Sequence, residues 1–283
     1  DRWELALKLA KEKDADLVLA TDPDADRLGV YCKDTKSGEY VTFTGNMSAM
    51  LIAEYILGQK RANNTMPENP VLVESIVSTD MAKAIAKAYD VELVEVLTGF
   101  KYIGEQMLKY EKSGEKNYVF GFEESYGYLA GPYVRDKDAV IGSMLICEMA
   151  AYYRSIGSSL KQRMEEIYTE YGRYYNKIDS FEFPGLSGMD KMAGIMQNLR
   201  ENPLTEVAGV KVAQAIDYTK PEETGLPSAN VLIYKLEDGA TVIVRPSGTE
   251  PKIKIYYTTL GKDLEEAKAQ KEKLAEAMKV ILA

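Results

Sequence analysis

The stretch TDPDADRLGV places three aspartates at alternate positions. The carboxylates of Asp22, Asp24 and Asp26 can converge on one hard cation, because Mg²⁺ prefers oxygen ligands and a few carboxylates. A calcium-binding EF-hand loop has a similar repeat, but it needs glycine at its sixth position and glutamate at its twelfth. Those positions hold Arg27 and Lys33 here. The spacing therefore predicts a magnesium site, and the alternative is a solvated acidic turn.

A second stretch, RPSGTEPKIKIYY, combines small and hydroxyl residues with cations. Its small residues are Ser247, Gly248 and Thr249. Their backbone N–H groups and hydroxyls can surround a phosphate, and Arg245 offers a bidentate fork. Lys252 or Lys254 adds positive charge. A hairpin loop with incidental hydroxyls is the alternative, but the pattern favours a phosphate site.

Two further stretches carry polar groups that suit a sugar. In GFEESYGYLAG, Glu123 and Ser125 follow an apolar strand and could bind hydroxyls, although a charged turn between a strand and a helix would look the same. LTGFKYIG and YVRDKDAV add Lys101, Arg135 and Lys137. Lysines on loops are usually only solvated, so these stretches are weak signals when taken alone.

Composition limits the chemistry and the partners. The 283 residues carry a net charge of -9, which argues against nucleic acid as the main partner. No apolar run approaches the roughly 18 residues of a membrane helix. Two distant cysteines, Cys32 and Cys147, make no disulfide framework and indicate a reducing, cytoplasmic setting. The chain has no histidine, so acid, base and metal chemistry must use Asp, Glu, Lys and Tyr.

Hydrophobic periodicity predicts an α/β protein. Strands that alternate with helices through the middle of the chain indicate a mixed α/β sheet, and the last hundred or so residues read as a smaller α+β domain. A division is expected near residue 172. We expect a helix over about Asn46–Leu57, closed by Gly58, followed by a polar linker. The Asp238-Gly239 pair predicts a hairpin turn.

Taken together and in this order, DPDADR, TGFK, GFEESYGY with VRDKDA, and RPSGTEP resemble the α-D-phosphohexomutase family, particularly its bacterial phosphoglucomutase branch. That family has four domains around a cleft. The resemblance implies that residues 1–45 end the second domain and carry the metal loop. Residues 46–172 would form the third domain with the sugar-binding loop. Residues 173–283 would form the fourth domain with the phosphate-binding loop.

The resemblance also implies roles for individual residues. Asp22, Asp24 and Asp26 would bind Mg²⁺, while Glu123 and Ser125 would bind the sugar hydroxyls at positions 3 and 4. The other substrate-binding residues would be Lys101, Arg135, Arg245, Ser247, Gly248, Thr249 and Lys254. Catalytic roles would fall to Arg27, as a phosphate or carboxylate contact, and to Lys137, as the acid/base or charge-stabilising group.

The activity implied by the resemblance is that of an isomerase of carbohydrate metabolism, a phosphoglucomutase. It would interconvert glucose 1-phosphate and glucose 6-phosphate through a phosphoserine and glucose 1,6-bisphosphate. The family's phosphoserine segment, similar to TASHNP, has no counterpart here. The chain is therefore expected to be a fragment that is inactive without the N-terminal domains. The alternatives are a phosphomannomutase, a phosphopentomutase, a magnesium-dependent sugar phosphatase and a non-catalytic phosphosugar-binding fragment.

Overall fold

The computed structural model describes residues 3–185 and 187–283, and the chain divides into two compact units, Asp1–Tyr171 and Gly172–Ala283. In these ranges the first unit holds a three-stranded and a four-stranded sheet, and the second unit holds a six-stranded sheet. No helix in the described ranges is both long enough and apolar enough to cross a membrane.

The first sheet carries the loop with the three aspartates, residues 22–27, called the acidic loop below. Its elements are α1 (Glu4–Lys13), β1 (Leu17–Thr21), β2 (Leu28–Lys33) and β3 (Tyr40–Phe43). The three strands are antiparallel, in the order β1-β2-β3. Alternate residues of β2 are buried, as expected of a strand with one core face. The acidic loop therefore connects two hydrogen-bonded strands, which fixes where it begins and ends.

The second sheet forms the core of the first unit. Its elements are α2 (Gly45–Ala62), β4 (Pro70–Ser75), α3 (Met81–Tyr89), β5 (Glu92–Val96), α4 (Phe100–Ser113), β6 (Asn117–Glu123), β7 (Gly127–Ala130), α5 (Ala139–Ser155) and α6 (Leu160–Tyr171). The strand order is β5-β4-β6-β7, with β4 parallel to β5 and β6, and β7 antiparallel to β6. Apolar residues of β4 and β6 pack against those of α4.

One local prediction and one alternative interpretation were wrong. Gly58 does not end its helix, because α2 continues to Ala62 through good helix formers and Asn63 closes it. The GFEESYG stretch does not lead from a strand into a helix. It turns back into the short antiparallel strand β7, so its glutamate and serine lie at a hairpin.

The order of the parallel strands creates a topological switch point at one edge of this sheet. From β4 the chain moves to β5 on one side and then to β6 on the other, so the connections diverge at the carboxyl ends of these strands. Ligands of open α/β sheets bind at such a switch point. The TGFK stretch follows β5 and the GFEESYG hairpin follows β6, so both lie at this edge.

The second unit is an α+β domain. Its elements are β8 (Arg173–Glu182), α7 (Gly188–Glu201), β9 (Glu206–Val207), β10 (Val210–Asp217), α8 (Pro221–Thr224), β11 (Leu232–Leu236), β12 (Thr241–Pro246), β13 (Lys252–Gly261) and α9 (Leu264–Ile281). The antiparallel sheet has the order β8-β13-β12-β11-β10-β9, and α7 and α9 pack on its core face. Gly239, at a positive φ of 86°, forms the β11–β12 turn. The predicted fold class is confirmed.

Candidate active site

The acidic loop brings its three aspartates together through its own backbone. Asp22 Oδ1 accepts hydrogen bonds from the N–H groups of Asp26 at 3.1 Å and Arg27 at 3.0 Å. Ala25 adopts a positive φ of 55°, which closes the turn. One carboxylate oxygen from each of Asp22, Asp24 and Asp26 lies within 4.8 Å of the other two. The loop thus presents three oxygen ligands to one point.

These residues fit a magnesium ion. Oxygens around Mg²⁺ stand about 3–4 Å apart, given Mg–O distances of about 2.1 Å, so a small side-chain rotation would complete the set. Asp26 Oδ1 is buried and has no hydrogen-bond partner in the described part of the chain. Desolvation opposes the shift, but the N–H groups of Arg27 and Asp26 lower the pKa of Asp22, which keeps it ionised. Asp24 is exposed and open to a ligand.

Lys137 lies against this loop. Its ammonium nitrogen is 2.9 Å from Asp26 Oδ2 and 3.1 Å from Asp136 Oδ1, and its side chain is only 12% exposed. Burial opposes the shift, but the bonds to Asp26 and Asp136 raise the pKa of Lys137. The side chain is therefore a cation at neutral pH. In this state it can stabilise negative charge or donate a proton, but it cannot accept one.

The stem of Lys137 passes over the GFEESYG hairpin. A Cβ atom built on Gly127 would lie 2.2 Å from Lys137 Cδ, so only glycine leaves room for the lysine. The ammonium is also 5.6 Å from the ring centre of Phe100, the third residue of TGFK. One cation thus joins the acidic loop, the hairpin and the TGFK turn.

Backbone hydrogen bonds join the same segments. Arg27 and Gly127 form an isolated antiparallel bridge, and the N–H of Leu28 donates to Tyr126 O at 3.0 Å. The first residue of α5 donates to Ala25 O, also at 3.0 Å. The Arg27 side chain is exposed and its Nε lies 3.9 Å from Asp26 Oδ1. The acidic loop is therefore held to the hairpin and to α5.

The hairpin presents Glu123 and Ser125 at the sheet edge. Glu123 is 6% exposed, and its Oε1 accepts a hydrogen bond of 2.6 Å from the N–H of Gly99. This carboxylate therefore already holds the TGFK turn. Ser125 is half-buried in the turn, next to Tyr126 at a positive φ of 70°.

The other two cations predicted for the site in this unit, Lys101 and Arg135, contact different groups. Lys101 is exposed, and its ammonium lies 4.9 Å from the ring centre of Tyr102. Arg135 pairs with Glu111 and donates to Pro132 O at 2.9 Å. None of these contacts involves the acidic loop.

In the second unit, Arg245 and Lys254 occupy directly opposite positions on β12 and β13. Like charges that face each other across a sheet are destabilising. Arg245 also donates to the hydroxyl of Tyr256 at 3.3 Å. A bound anion would relieve the repulsion, so this pair suits a phosphate.

The loop beyond this pair is more open. Ser247 Oγ accepts from the N–H groups of Thr249 at 3.4 Å and Glu250 at 3.2 Å, while Gly248 and Thr249 are exposed. Lys252 pairs with Glu250 at 2.5 Å. Of the two lysines considered from the sequence, Lys254 is therefore the one that faces Arg245.

Three contact residues of the first unit were not found from the sequence. They are Phe100, Gly127 and Asp136. All three touch Lys137. Asp136 is its neighbour in the chain, whereas the contacts with Phe100 and Gly127 join separate stretches and leave no local pattern. The one visible signal was the glycine that ends GFEESYG.

Comparison with known proteins identifies the family. Residues 44–171 match the model of the phosphoglucomutase/phosphomannomutase alpha/beta/alpha domain III, and residues 192–277 match the model of the C-terminal domain. The chain therefore belongs to the phosphoglucomutase/phosphomannomutase family, the α-D-phosphohexomutases that the motifs resembled.

Curated relatives agree with this assignment. The chain is 37% identical over 279 residues to a phosphoglucomutase of Staphylococcus aureus (strain MRSA252), covering 95% of the chain and 49% of the relative. It is 38% identical over 266 residues to a phosphoglucomutase of Staphylococcus epidermidis (strain ATCC 12228), covering 90% and 47%. The chain thus spans about half the length of the relatives it matches.

Solved structures share the fold. The open form of parafusin, a Paramecium phosphoglucomutase, aligns with a TM-score of 0.69 at 20% identity over 94% of this chain and 44% of that one. An N-acetylphosphoglucosamine mutase of Aspergillus fumigatus aligns with a TM-score of 0.54 at 14% identity, over 98% and 53%.

Proposed function

We propose that this chain is part of a phosphoglucomutase, which interconverts glucose 1-phosphate and glucose 6-phosphate. The observation that carries the proposal is the position of Lys137. Its ammonium contacts Asp26 of the acidic loop while its stem packs on Gly127 of the hairpin. A cation placed between a metal loop and a sugar-binding hairpin lies where negative charge develops on a phosphoryl group during its transfer.

The roles proposed for the first unit follow from its chemistry. Asp22, Asp24 and Asp26 would hold Mg²⁺, which offsets negative charge on the transferred phosphoryl group when bound. Lys137 would stabilise the same charge and donate a proton to the leaving oxygen. Arg27 is exposed beside the loop and free to contact phosphate.

The sugar would lie at the hairpin. Ser125 and the Glu123 carboxylate would bind two hydroxyls that present similar positions in both orientations of the sugar. Lys101 lies in the first turn of α4 rather than on a loop as expected, and Arg135 lies in the segment before α5. Both would leave their present contacts to reach substrate. Their positions therefore give less support to a role in substrate binding than the positions of Glu123 and Ser125 do.

In the second unit, Arg245 and Lys254 would bind the phosphate that is not reacting, together with Ser247, Gly248 and Thr249. After the first transfer, glucose 1,6-bisphosphate would reorient and return its other phosphate. Related chains support these ligands: Aspergillus fumigatus N-acetylphosphoglucosamine mutase was solved with GlcNAc-6P and magnesium, and a variant of it with glucose 1,6-bisphosphate.

We also propose the three-part organisation, with residues 1–45 ending a second domain, 46–172 forming a third and 173–283 a fourth. The phosphoserine would come from other domains of the full-length protein, in a cytoplasmic setting. This chain alone is expected to show no turnover.

The decisive experiment assays the full-length gene product with glucose 1-phosphate, Mg²⁺ and glucose 1,6-bisphosphate, and measures glucose 6-phosphate formed. Mannose, ribose and deoxyribose 1-phosphates form the comparison panel. Preference for glucose supports the proposal, and preference for another sugar would indicate a phosphomannomutase or phosphopentomutase.

Two controls separate the rival classes. Free inorganic phosphate as the main product would indicate a sugar phosphatase. Binding of glucose 1,6-bisphosphate without turnover would indicate a non-catalytic phosphosugar-binding protein. Asp16→Asn serves as the matched control for substitutions of the loop aspartates. Asp16 is an exposed aspartate of the same unit, and it pairs with Arg154 outside the candidate site.

A further inference from the structure

One carboxyl group beside the candidate site has no part in the function proposed above. Glu74 is the next-to-last residue of the central strand β4, and it is only 2% exposed. Its Oε2 atom is buried and has no hydrogen-bond partner within residues 3–185 and 187–283. An ionised carboxylate in such a place is costly, because it loses its hydration and gains no partner in return.

The charges around Glu74 make ionisation costlier still. Four charged groups interact with it, namely Glu95, Asp80, Glu124 and Lys83. Glu95 lies directly beside it on the parallel strand β5. Lys83 of α3 already pairs with Asp80 at 2.7 Å and Glu95 at 3.1 Å. An ionised Glu74 would thus be a third carboxylate around one lysine.

This cluster is linked to the candidate site through the end of β4. Ser75 Oγ donates to Glu124 Oε2 at 3.2 Å, and it also bonds to Ser78 Oγ at 2.9 Å. Glu124 begins the hairpin turn that carries Ser125. The contact with Ser75 therefore anchors the turn to the strand that holds Glu74.

We propose that Glu74 is a positioning residue held as a neutral acid, and that loss of its proton to water loosens the hairpin turn carrying Ser125. The neutral acid adds no charge beside Glu124 and has an O–H that can donate to a carboxylate. Ionisation places a desolvated negative charge close to Glu124 and opposes its contact with Ser75. The consequence for sugar binding rests on the proposed function, whereas the proton equilibrium and the response of the turn do not.

The electrostatics support the neutral form. Burial is the main cause that raises the pKa of Glu74 well above its ordinary value, and Glu95 and Asp80 raise it further against the opposing charge of Lys83. Because the folded-state pKa is the higher one, the unfolded chain releases this proton first as pH rises. The stability that the neutral acid contributes is complete below the ordinary glutamate pKa. It is lost as pH increases towards the folded-state pKa.

The test compares the chain with its Glu74→Gln variant between about pH 5 and pH 9. Glutamine keeps the shape and stays neutral. Two quantities are measured: the melting temperature, and the amide hydrogen exchange of residues 124–126 corrected for the intrinsic effect of pH. We expect both stability and protection to fall with pH in the parent chain, with protection falling by up to about tenfold per pH unit, the limit for release of a single proton. Both should be much flatter in the variant.

Two further variants sharpen the result. Glu92→Gln removes an exposed carboxylate of β5 that pairs with Lys116, and it should leave the pH profile unchanged. Glu124→Gln removes a charge that raises the pKa of Glu74, so the transition should move to lower pH.

Identical pH profiles for the parent chain and Glu74→Gln would overturn the proposal, as would a change in melting temperature without any change at residues 124–126. If Glu74→Gln folds poorly, a carbon-13 NMR titration of the parent chain replaces it, and an ordinary glutamate pKa for Glu74 would be the contrary outcome. In the full-length enzyme, KM should rise with pH in the parent and stay level in the variant. Absence of mutase activity would affect only this last reading.

Discussion

The acidic loop of the first unit and the Arg-x-Ser-Gly-Thr loop of the second differ in how the chain holds them. The acidic loop is bound to the hairpin by Arg27 and Leu28, to α5 through Ala25, and to Lys137 by an ion pair. The Arg-x-Ser-Gly-Thr loop has exposed small residues, and its hydrogen bonds to Ser247 Oγ are long, at 3.2 and 3.4 Å. The first site is therefore organised before a ligand arrives, whereas the second depends more on its ligand for order.

The largest expected effect concerns the organised site. Asp24→Asn in the full-length enzyme should lower kcat at least about 100-fold, since weakening a metal ligand removes several kcal/mol of charge stabilisation. Asp24 is exposed, so the melting temperature should hardly change. Turnover is measured across a magnesium titration, with Asp16→Asn as the control. Near-normal turnover at every magnesium concentration would exclude the metal assignment.

Substitution in the Arg-x-Ser-Gly-Thr loop should change substrate binding rather than turnover. Arg245→Ala should weaken substrate binding by about 1.5–3 kcal/mol, the value of a hydrogen bond to a charged group. The effect should appear in KM and kcat/KM, with magnesium affinity unchanged. Lys211→Ala, an exposed lysine on β10 of the same sheet, is the matched control. Unchanged kinetics in Arg245→Ala would remove the phosphate site from this loop.

A third variant tests how tightly the first site is packed. Gly127→Ala should destabilise the fold by about 1–3 kcal/mol, because its Cβ would overlap the stem of Lys137. Gly194→Ala is a control with the opposite sign: this helical glycine has nothing near its Cβ position, so alanine should stabilise α7 by about 0.5–1 kcal/mol. Denaturant unfolding measures both. If Gly127→Ala were neutral, Lys137 would not be fixed as described.

The smallest expected effect is on the reactivity of Cys32, in the β1–β3 sheet that carries the acidic loop. Cys32 lies on β2 at 2% exposure, and burial raises the pKa of its thiol to about 12. Cys147 is exposed. A thiol reagent at neutral pH should therefore label Cys147 quickly and Cys32 only after unfolding. Rapid labelling of both would show that the β1–β3 sheet opens readily, and that the loop is less fixed than its contacts indicate.

Features formed by a single short stretch of residues could be predicted from the sequence. The alternate aspartates specified their own convergence, and Asp238-Gly239 specified its hairpin turn. The strand β7 was missed because GYLA has only four residues and begins with glycine. The helix α2 was ended too early because a buried helix tolerates Gly58 at modest cost.

Contacts between distant stretches could not be derived from spacing. Nothing in the sequence around Lys137 indicates that it contacts Asp26. Nothing in the sequence around Glu74 indicates that Glu95 and Glu124 lie close to it. The family resemblance implied that Lys137 acts near the phosphoryl group. Its packing on Gly127 and Phe100 required coordinates, because it depends on how β7, α4 and the segment before α5 pack together.

The backbone bonds that hold the acidic loop also have a consequence for the order of folding. Leu28 pairs with Tyr126, and Ala25 accepts from Ala139, so each contact closes a loop of about a hundred residues. Closing such loops costs entropy before the contact repays it, and distant pairings form slowly. During synthesis the aspartates leave the ribosome long before α5 exists. The loop should therefore reach its final shape among the last events of folding in this unit, after the β4–β6 sheet that supports the hairpin has formed.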